Sequence, residues 1–237
     1  MYAAIHMRAL DPVLTEWAAP RSSERGVAIA ASAGGIPALI AMLRAHERPF
    51  AFPIFVVQHI SRDKASLLAR ALRWHSQHAI EWAEHGSRPR AGIVYLCPPA
   101  FSMRVSTAGF ELVPLAASSA SWLPCPDLLF ESVAETYKSG AVGIVLSGMM
   151  AVALKGLHAI RAQGGITIAQ SQGSASHGEM PGAAVDFGKA DIALPPALIA
   201  EALATLDQEP GIAPAAVRVL SPPPRDPARR RARPSAA

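Results

Sequence analysis

Four short runs of this chain are apolar almost without interruption: Gly26-Val-Ala-Ile-Ala-Ala31, Phe52-Pro-Ile-Phe-Val-Val57, Ala141-Val-Gly-Ile-Val-Leu146 and Ile166-Thr-Ile-Ala169. A strand with no polar face has to be covered on both sides, which a parallel sheet with helices above and below provides. The segments between the runs fit that architecture. After the first, Gly34-Gly35 gives a tight turn, and Ile36, Leu39, Ile40 and Leu43 recur at helical spacing, with Pro37 acceptable in a first turn. After the second, Ser61 can cap a helix that buries Leu67, Leu68, Ala71 and Leu72. Further on, Asp127 is expected to cap a helix running to about Lys138, another helix to span about Val152 to Gln163, and a last one Pro195 to Leu206.

The middle of the chain breaks the alternation. Gly92-Ile-Val-Tyr-Leu96 reads as a strand; Ser102–Ser106 and Phe110–Pro114, joined at Thr107-Ala-Gly109, read as a hairpin. The expected fold is therefore α/β: a doubly wound, mostly parallel sheet with helices on both faces and an antiparallel β-hairpin at one edge. An irregular segment is expected over residues 1–25, the α/β domain over 26–207, and a disordered tail over 208–237.

Composition narrows the function classes. At 237 residues, 51% hydrophobic and 17% charged, the chain can bury a sizeable core. No apolar run is long enough to cross a membrane and no signal-peptide pattern is present, so a cytoplasmic protein is expected. The net charge of +4 lies largely in Arg225 and the Arg229–Arg233 cluster of the Pro-rich tail. Such a tail can contact acidic surfaces, but no nucleic-acid-binding motif accompanies it, so no specific nucleic-acid partner is expected. Cys97 and Cys125 read as ordinary buried thiols, and the remaining histidines show no metal-ligand pattern, so neither a metal nor a cofactor is expected.

Ser32 directly follows one apolar run and His59 closely follows another. Parallel strands bring their carboxyl ends to one rim, where α/β proteins bind ligands. A serine needs a base to take its proton, and a histidine near neutral pKa can be that base. The turn after Ser32 opens a helix, so its free amides can stabilise an oxyanion; Met149, after the third run, can add another. A Ser-x-Gly-Gly turn can equally start a helix or bind a phosphate, and a histidine ending a strand can be structural.

With these motifs in order, the chain resembles the catalytic domain of the CheB-type chemotaxis receptor methylesterases over roughly residues 26–207. The resemblance is carried by Ala30-Ala-Ser-Ala-Gly-Gly35, Val56-Val-Gln-His59, Val94-Tyr-Leu-Cys-Pro98, Asp127-Leu-Leu-Phe130, Leu146-Ser-Gly-Met149, Gly164-Gly-Ile-Thr-Ile-Ala-Gln170 and Met180-Pro181. It implies hydrolysis of glutamate methyl esters, and deamidation of some glutamines, on chemoreceptors. Ser32 would be nucleophile, His59 general base, and Ala33 and Met149 would lie at the oxyanion site. Val152 stands where the family has its triad aspartate; Ala33, Ser102 and Gly182 are further departures. The expected partner is a methylated chemoreceptor or another signalling protein.

The missing acid implies a weakened hydrolase, or a catalytically inactive binding module on the same fold; a general esterase of small substrates is a third reading. Glu179 and Asp186 are the carboxylates in sequence reach for compensation. The family's usual receiver domain does not fit in residues 1–25, so activity is expected to be constitutive or controlled by another protein or by the tail.

Overall fold

The apolar runs become the centre of a seven-stranded parallel sheet in a computed structural model that describes residues 24–60, 65–115 and 123–207. The expectations for the N-terminal segment before Glu24, for the Ser61 cap and for the tail from 208 onward lie outside the described residues. In chain order the elements are β1 (Gly26–Ala31), α1 (Gly35–Arg44), β2 (Ile54–Gln58), α2 (Ala65–His75), β3 (Ala79–Trp82), β4 (Ile93–Leu96), β5 (Phe101–Ser106) and β6 (Gly109–Pro114). There follow α3 (Pro126–Tyr137), β7 (Ala141–Val145), α4 (Leu154–Ala162), β8 (Ile166–Gln170), α5 (Glu179–Asp186), β9 (Ile192–Leu194) and α6 (Pro196–Asp207). The sheet runs β3-β4-β2-β1-β7-β8-β9, every neighbouring pair parallel. No helix among the described residues is long and apolar enough to cross a membrane.

β1 alternates its side chains between two cores. Val27 and Ile29 join Leu39 and Leu43 of α1, Leu72 of α2 and Leu203 of α6. Ala28 and Ala30 face Leu129 and Phe130 of α3 and Leu157 of α4. Helices therefore cover both faces, as expected. The buried stripe of α2 is Leu68, Ala69 and Leu72; Leu67 falls outside it and is half exposed, a correction to the expected stripe.

The hairpin forms its own two-stranded sheet rather than extending the large one. Its Met103, Val105 and Phe110 turn onto Phe55 of β2 and Tyr95 of β4, with Phe110 edge-on to Phe55. Side chains of α3 satisfy its outer edge: Ser132 Oγ accepts from Val105 N–H (3.0 Å) and Thr136 Oγ1 donates to Val105 O (3.0 Å). Beyond the β3 end, Gly86 N–H donates to Phe110 O (2.8 Å), which keeps the hairpin at that side of the molecule.

Two helix starts differ from expectation. Cys125, not Asp127, is the N-cap of α3, with Pro126 opening the helix. Asp127 instead serves the next helix: its Oδ1 accepts from Gly156 N–H (2.8 Å) in the first turn of α4. That turn needs an outside acceptor because the N-cap, Ala153, has no side chain to offer and sits at φ 67°. The left-handed Ala153 also delays α4 to Leu154 rather than Val152. Cys125 at its cap position is exposed, which corrects the reading of two buried thiols; Cys97 is buried. β3, β9 and the short α5 were not legible from periodicity, each being too brief to show one.

Candidate active site

From β1 the chain adds β2, then β3 at the edge and β4 between them, and after the hairpin it returns to the other side of β1 for β7. α1, after β1, covers one face and α4, after β7, the other, so the loops leaving these two strands diverge. Such a switch point opens a crevice at the carboxyl ends of the strands. Ser32 leaves β1 there, and Ser147-Gly148 leaves β7 there.

Ser32 and His59 are placed side by side by the β1–β2 register. Ala31 pairs with Gln58, and His59 N–H donates to Ala31 O (2.9 Å). Both residues line one cavity of about 420 Å³ together with Ala33, Gly34, Ile36, Gln58 and Ile60. The turn after Ser32 requires its glycines. Gly34 sits at φ +73°, and a Cβ on it would come within 2.5 Å of Ser147 Oγ. The N–H groups of Ala33, Gly34 and Met149 have no protein acceptor among the described residues, whereas those of Ser32 and Gly35 are engaged by Ser147 O (2.9 Å) and Ser32 O (2.8 Å). Gly148 lies directly against the serine: a Cβ there would stand 3.1 Å from Ser32 Cβ.

Three buried polar residues at strand ends hold this arrangement. Gln58 Nε2 donates to Ser32 O (2.9 Å) and His59 O (3.0 Å), fastening the two loops together. Ser147, fully buried, donates from Oγ to Ala33 O (2.7 Å) and accepts from His177 N–H (2.9 Å). Gln170 Oε1 accepts from Ser147 N–H (2.9 Å), and its Nε2 donates to Ser174 O (2.9 Å). None was singled out as a site residue in the sequence, yet each ends an apolar run with a polar residue, and that pattern is visible there.

Among the described residues the imidazole of His59 meets no carboxylate. Its Nε2–H donates to the backbone carbonyl of Pro124 (3.0 Å), and its Nδ1 is buried without a partner. Burial lowers its pKa below the ordinary 6.5, and the Pro124 carbonyl opposes that shift, so the ring is neutral near pH 7. Val152 packs half-buried against the core that Leu157 and Met180 share, and lies outside the cavity lining. Glu179 and Asp186 are exposed at the two ends of α5, about 10 Å apart along its axis, and neither bonds to His59. Met149 is 59% exposed and its side chain is not among the cavity-lining groups. Ser102, expected in the sequence as a departure, is buried and accepts from Cys125 N–H (2.9 Å).

A serine and a neutral histidine on adjacent strand ends, beside unengaged amides at a parallel-sheet switch point, define an α/β protein with a hydrolase-like site. The CheB methylesterase family model matches residues 27–203, and the chain belongs to that family. It is 37% identical over 177 residues to protein-glutamate methylesterase/protein-glutamine glutaminase 3 of Paramagnetospirillum magneticum, covering 75% of this chain and 50% of that protein. It is 34% identical over 180 residues to protein-glutamate methylesterase/protein-glutamine glutaminase 1 of Burkholderia lata, covering 76% and 54%. The chain thus spans about half the length of these curated relatives. The crystal structure of the Thermotoga maritima CheB methylesterase catalytic domain superposes with a TM-score of 0.70 at 28% identity, over 77% of this chain and 98% of that one.

Proposed function

We infer that this chain is a protein-glutamate methylesterase-like serine hydrolase, acting on methylated glutamates of a chemoreceptor or a related signalling protein in the cytoplasm. The observation that carries the reading is the placement of Ser32 and His59 in one cavity of a CheB-family chain. In this reading Ser32 Oγ attacks the ester carbonyl carbon while His59 takes its proton. The N–H groups of Ala33 and Met149 are donors without a protein acceptor, available to the oxyanion of the tetrahedral intermediate. Collapse expels methanol, which takes the proton from His59 and leaves a glutamyl ester on Ser32; water, deprotonated by His59, then attacks that ester, and Ser32 Oγ leaves with the proton from His59 as the glutamate is released. A glutamine side chain follows the same course with ammonia as leaving group.

The absence of a carboxylate at His59 supports slow turnover, and also favours a second reading in which the domain binds its partner without catalysis. Methanol release from a methylated chemoreceptor over long incubation tests the first. Release that disappears in Ser32→Ala upholds the hydrolase; release unchanged in Ser32→Ala removes Ser32 as nucleophile; and silence of the unmodified protein leaves the binding module.

A further inference from the structure

We propose that the backbone carbonyl of Pro124 does the orienting work of an acid at His59: it holds the ring as the Nε2–H tautomer and leaves Nδ1 as its basic nitrogen. The use of that nitrogen as a base rests on the hydrolase reading above; the assignment of the tautomer does not.

A carbonyl oxygen accepts and cannot donate, so the 3.0 Å contact between Nε2 and Pro124 O requires a proton on Nε2. In a neutral imidazole the other nitrogen then carries the lone pair. Nδ1 is buried and without a protein partner. A buried N–H in that position would lose its water and gain no acceptor, whereas a bare nitrogen gives up much less, so burial and the carbonyl favour the same tautomer. Burial also holds the ring neutral, the state a base needs before it takes a proton.

The carbonyl is itself well fixed. Pro124 is buried and immediately precedes Cys125, the N-cap of α3, whose N–H donates to Ser102 Oγ at 2.9 Å. Ser102 lies in β5, and β5 is tied to α3 through Ser132 and Thr136. Pro124 O is thus anchored by the hairpin and by the start of a twelve-residue helix. The serine at 102 thus has a role in this arrangement. Pro124 is a positioning residue through its main chain, which explains why no side chain at this position betrays the role.

The experiment combines nitrogen-15 imidazole spectroscopy with one backbone substitution. In the full chain, long-range proton–nitrogen correlation identifies which His59 nitrogen carries the proton; His59→Gln assigns the signals. The chain is then made with lactic acid at position 125, which turns the 124–125 amide into an ester with a weaker carbonyl acceptor. Cys125→Ala is its amide counterpart. Because the ester also deletes the N–H that reaches Ser102, Ser102→Ala in the Cys125→Ala chain isolates that loss.

A protonated Nε2 whose N–H resonance moves upfield in the ester chain, but stays in place in Ser102→Ala, upholds the orienting role. Acylation of Ser32 by p-nitrophenyl acetate should then fall at least threefold in the ester chain alone. A proton on Nδ1, or an Nε2–H signal indifferent to the ester, overturns the proposal whatever the activity. An ester-sensitive Nε2–H in a chain that neither acylates nor releases methanol upholds the tautomer and overturns the hydrolase reading with its proton transfer. Acylation unchanged in the ester chain beside a shifted Nε2–H overturns the catalytic use of the contact.

Discussion

Replacing Ser147 by alanine should loosen the turn after Ser32. The Oγ of Ser147, fully buried, joins Ala33 O (2.7 Å) to His177 N–H (2.9 Å), so one oxygen atom links the turn after Ser32 to the loop before α5. The backbone contacts of Ser147, to Ser32 N–H and to Gln170 Oε1, survive the substitution. What is lost is the partner of one carbonyl and one amide. An ordinary hydrogen bond contributes about 0.5–1.5 kcal/mol net, and a buried group left unpaired costs about 1–3 kcal/mol. Two groups that relax partly give about 2–4 kcal/mol. Water is poorly placed to fill in, because a Cβ on Gly34 would already stand 2.5 Å from that oxygen. Urea unfolding at neutral pH measures the loss as a drop in midpoint at unchanged slope. Acylation by an activated ester should fall at the same time, since Ala33 carries one of the amides in the cavity. A stability loss below about 0.5 kcal/mol with unaltered acylation would refute the view that this hydroxyl fastens the two loops.

Asp127→Ala should destabilise the fold by about 1 kcal/mol, the usual cost of a lost helix-cap acceptor, while Asp127→Asn keeps an oxygen for Gly156 N–H and loses less; equal losses would contradict the capping role. Burial lowers the pKa of both His59 and His78 below 6.5, so below that pH the unfolded chain takes up protons that the folded chain refuses. Stability should therefore be full above about pH 6.5 and decline as pH falls toward the folded values, by at most about 1.4 kcal/mol per pH unit for each ring; a midpoint flat between about pH 7.5 and 5.5 would count against it. Burial pushes the Cys97 thiol up to about 12, whereas Cys125 is exposed, so a thiol reagent should label Cys125 in the folded protein and reach Cys97 only after unfolding.

The parallel sheet and its central helices were legible because β1, β2, β7 and β8 are fully buried, and that burial writes itself as unbroken apolar sequence. Ser32 and His59 were legible for the same reason: each stands just beyond such a run. What stayed hidden depends on partners far along the chain. In sequence Asp127 reads as the cap of its own helix because a local acceptor is the usual arrangement, whereas its oxygen serves Gly156, twenty-nine residues away. The apolar and proline neighbours of Cys125 point to burial, whereas at the cap position the residue is exposed. The Pro124 carbonyl is a main-chain atom, so no residue type could have announced it.

The lack of a carboxylate at His59 among the described residues has a smaller predicted cost here than in a site where the histidine is left unoriented. Loss of a triad acid can lower turnover about ten-thousandfold, much of it because the imidazole adopts the wrong tautomer. With Nε2–H held by Pro124 O, what remains missing is the negative charge facing the imidazolium. A charge-assisted hydrogen bond is worth about 1.5–3 kcal/mol against about 0.5–1.5 for a neutral one. The difference, about 1–1.5 kcal/mol, is close to a factor of ten in rate. Val152→Asp should therefore raise acylation at most about tenfold. It should also lower stability, because Val152 packs against the apolar core under α4 and α5, and a carboxylate there loses part of its hydration. Methanol release and urea unfolding measured on the same preparation test both halves. A gain of a thousandfold or more would mean that His59 had been waiting for an acid to orient it, and the Pro124 carbonyl would then be an incidental contact.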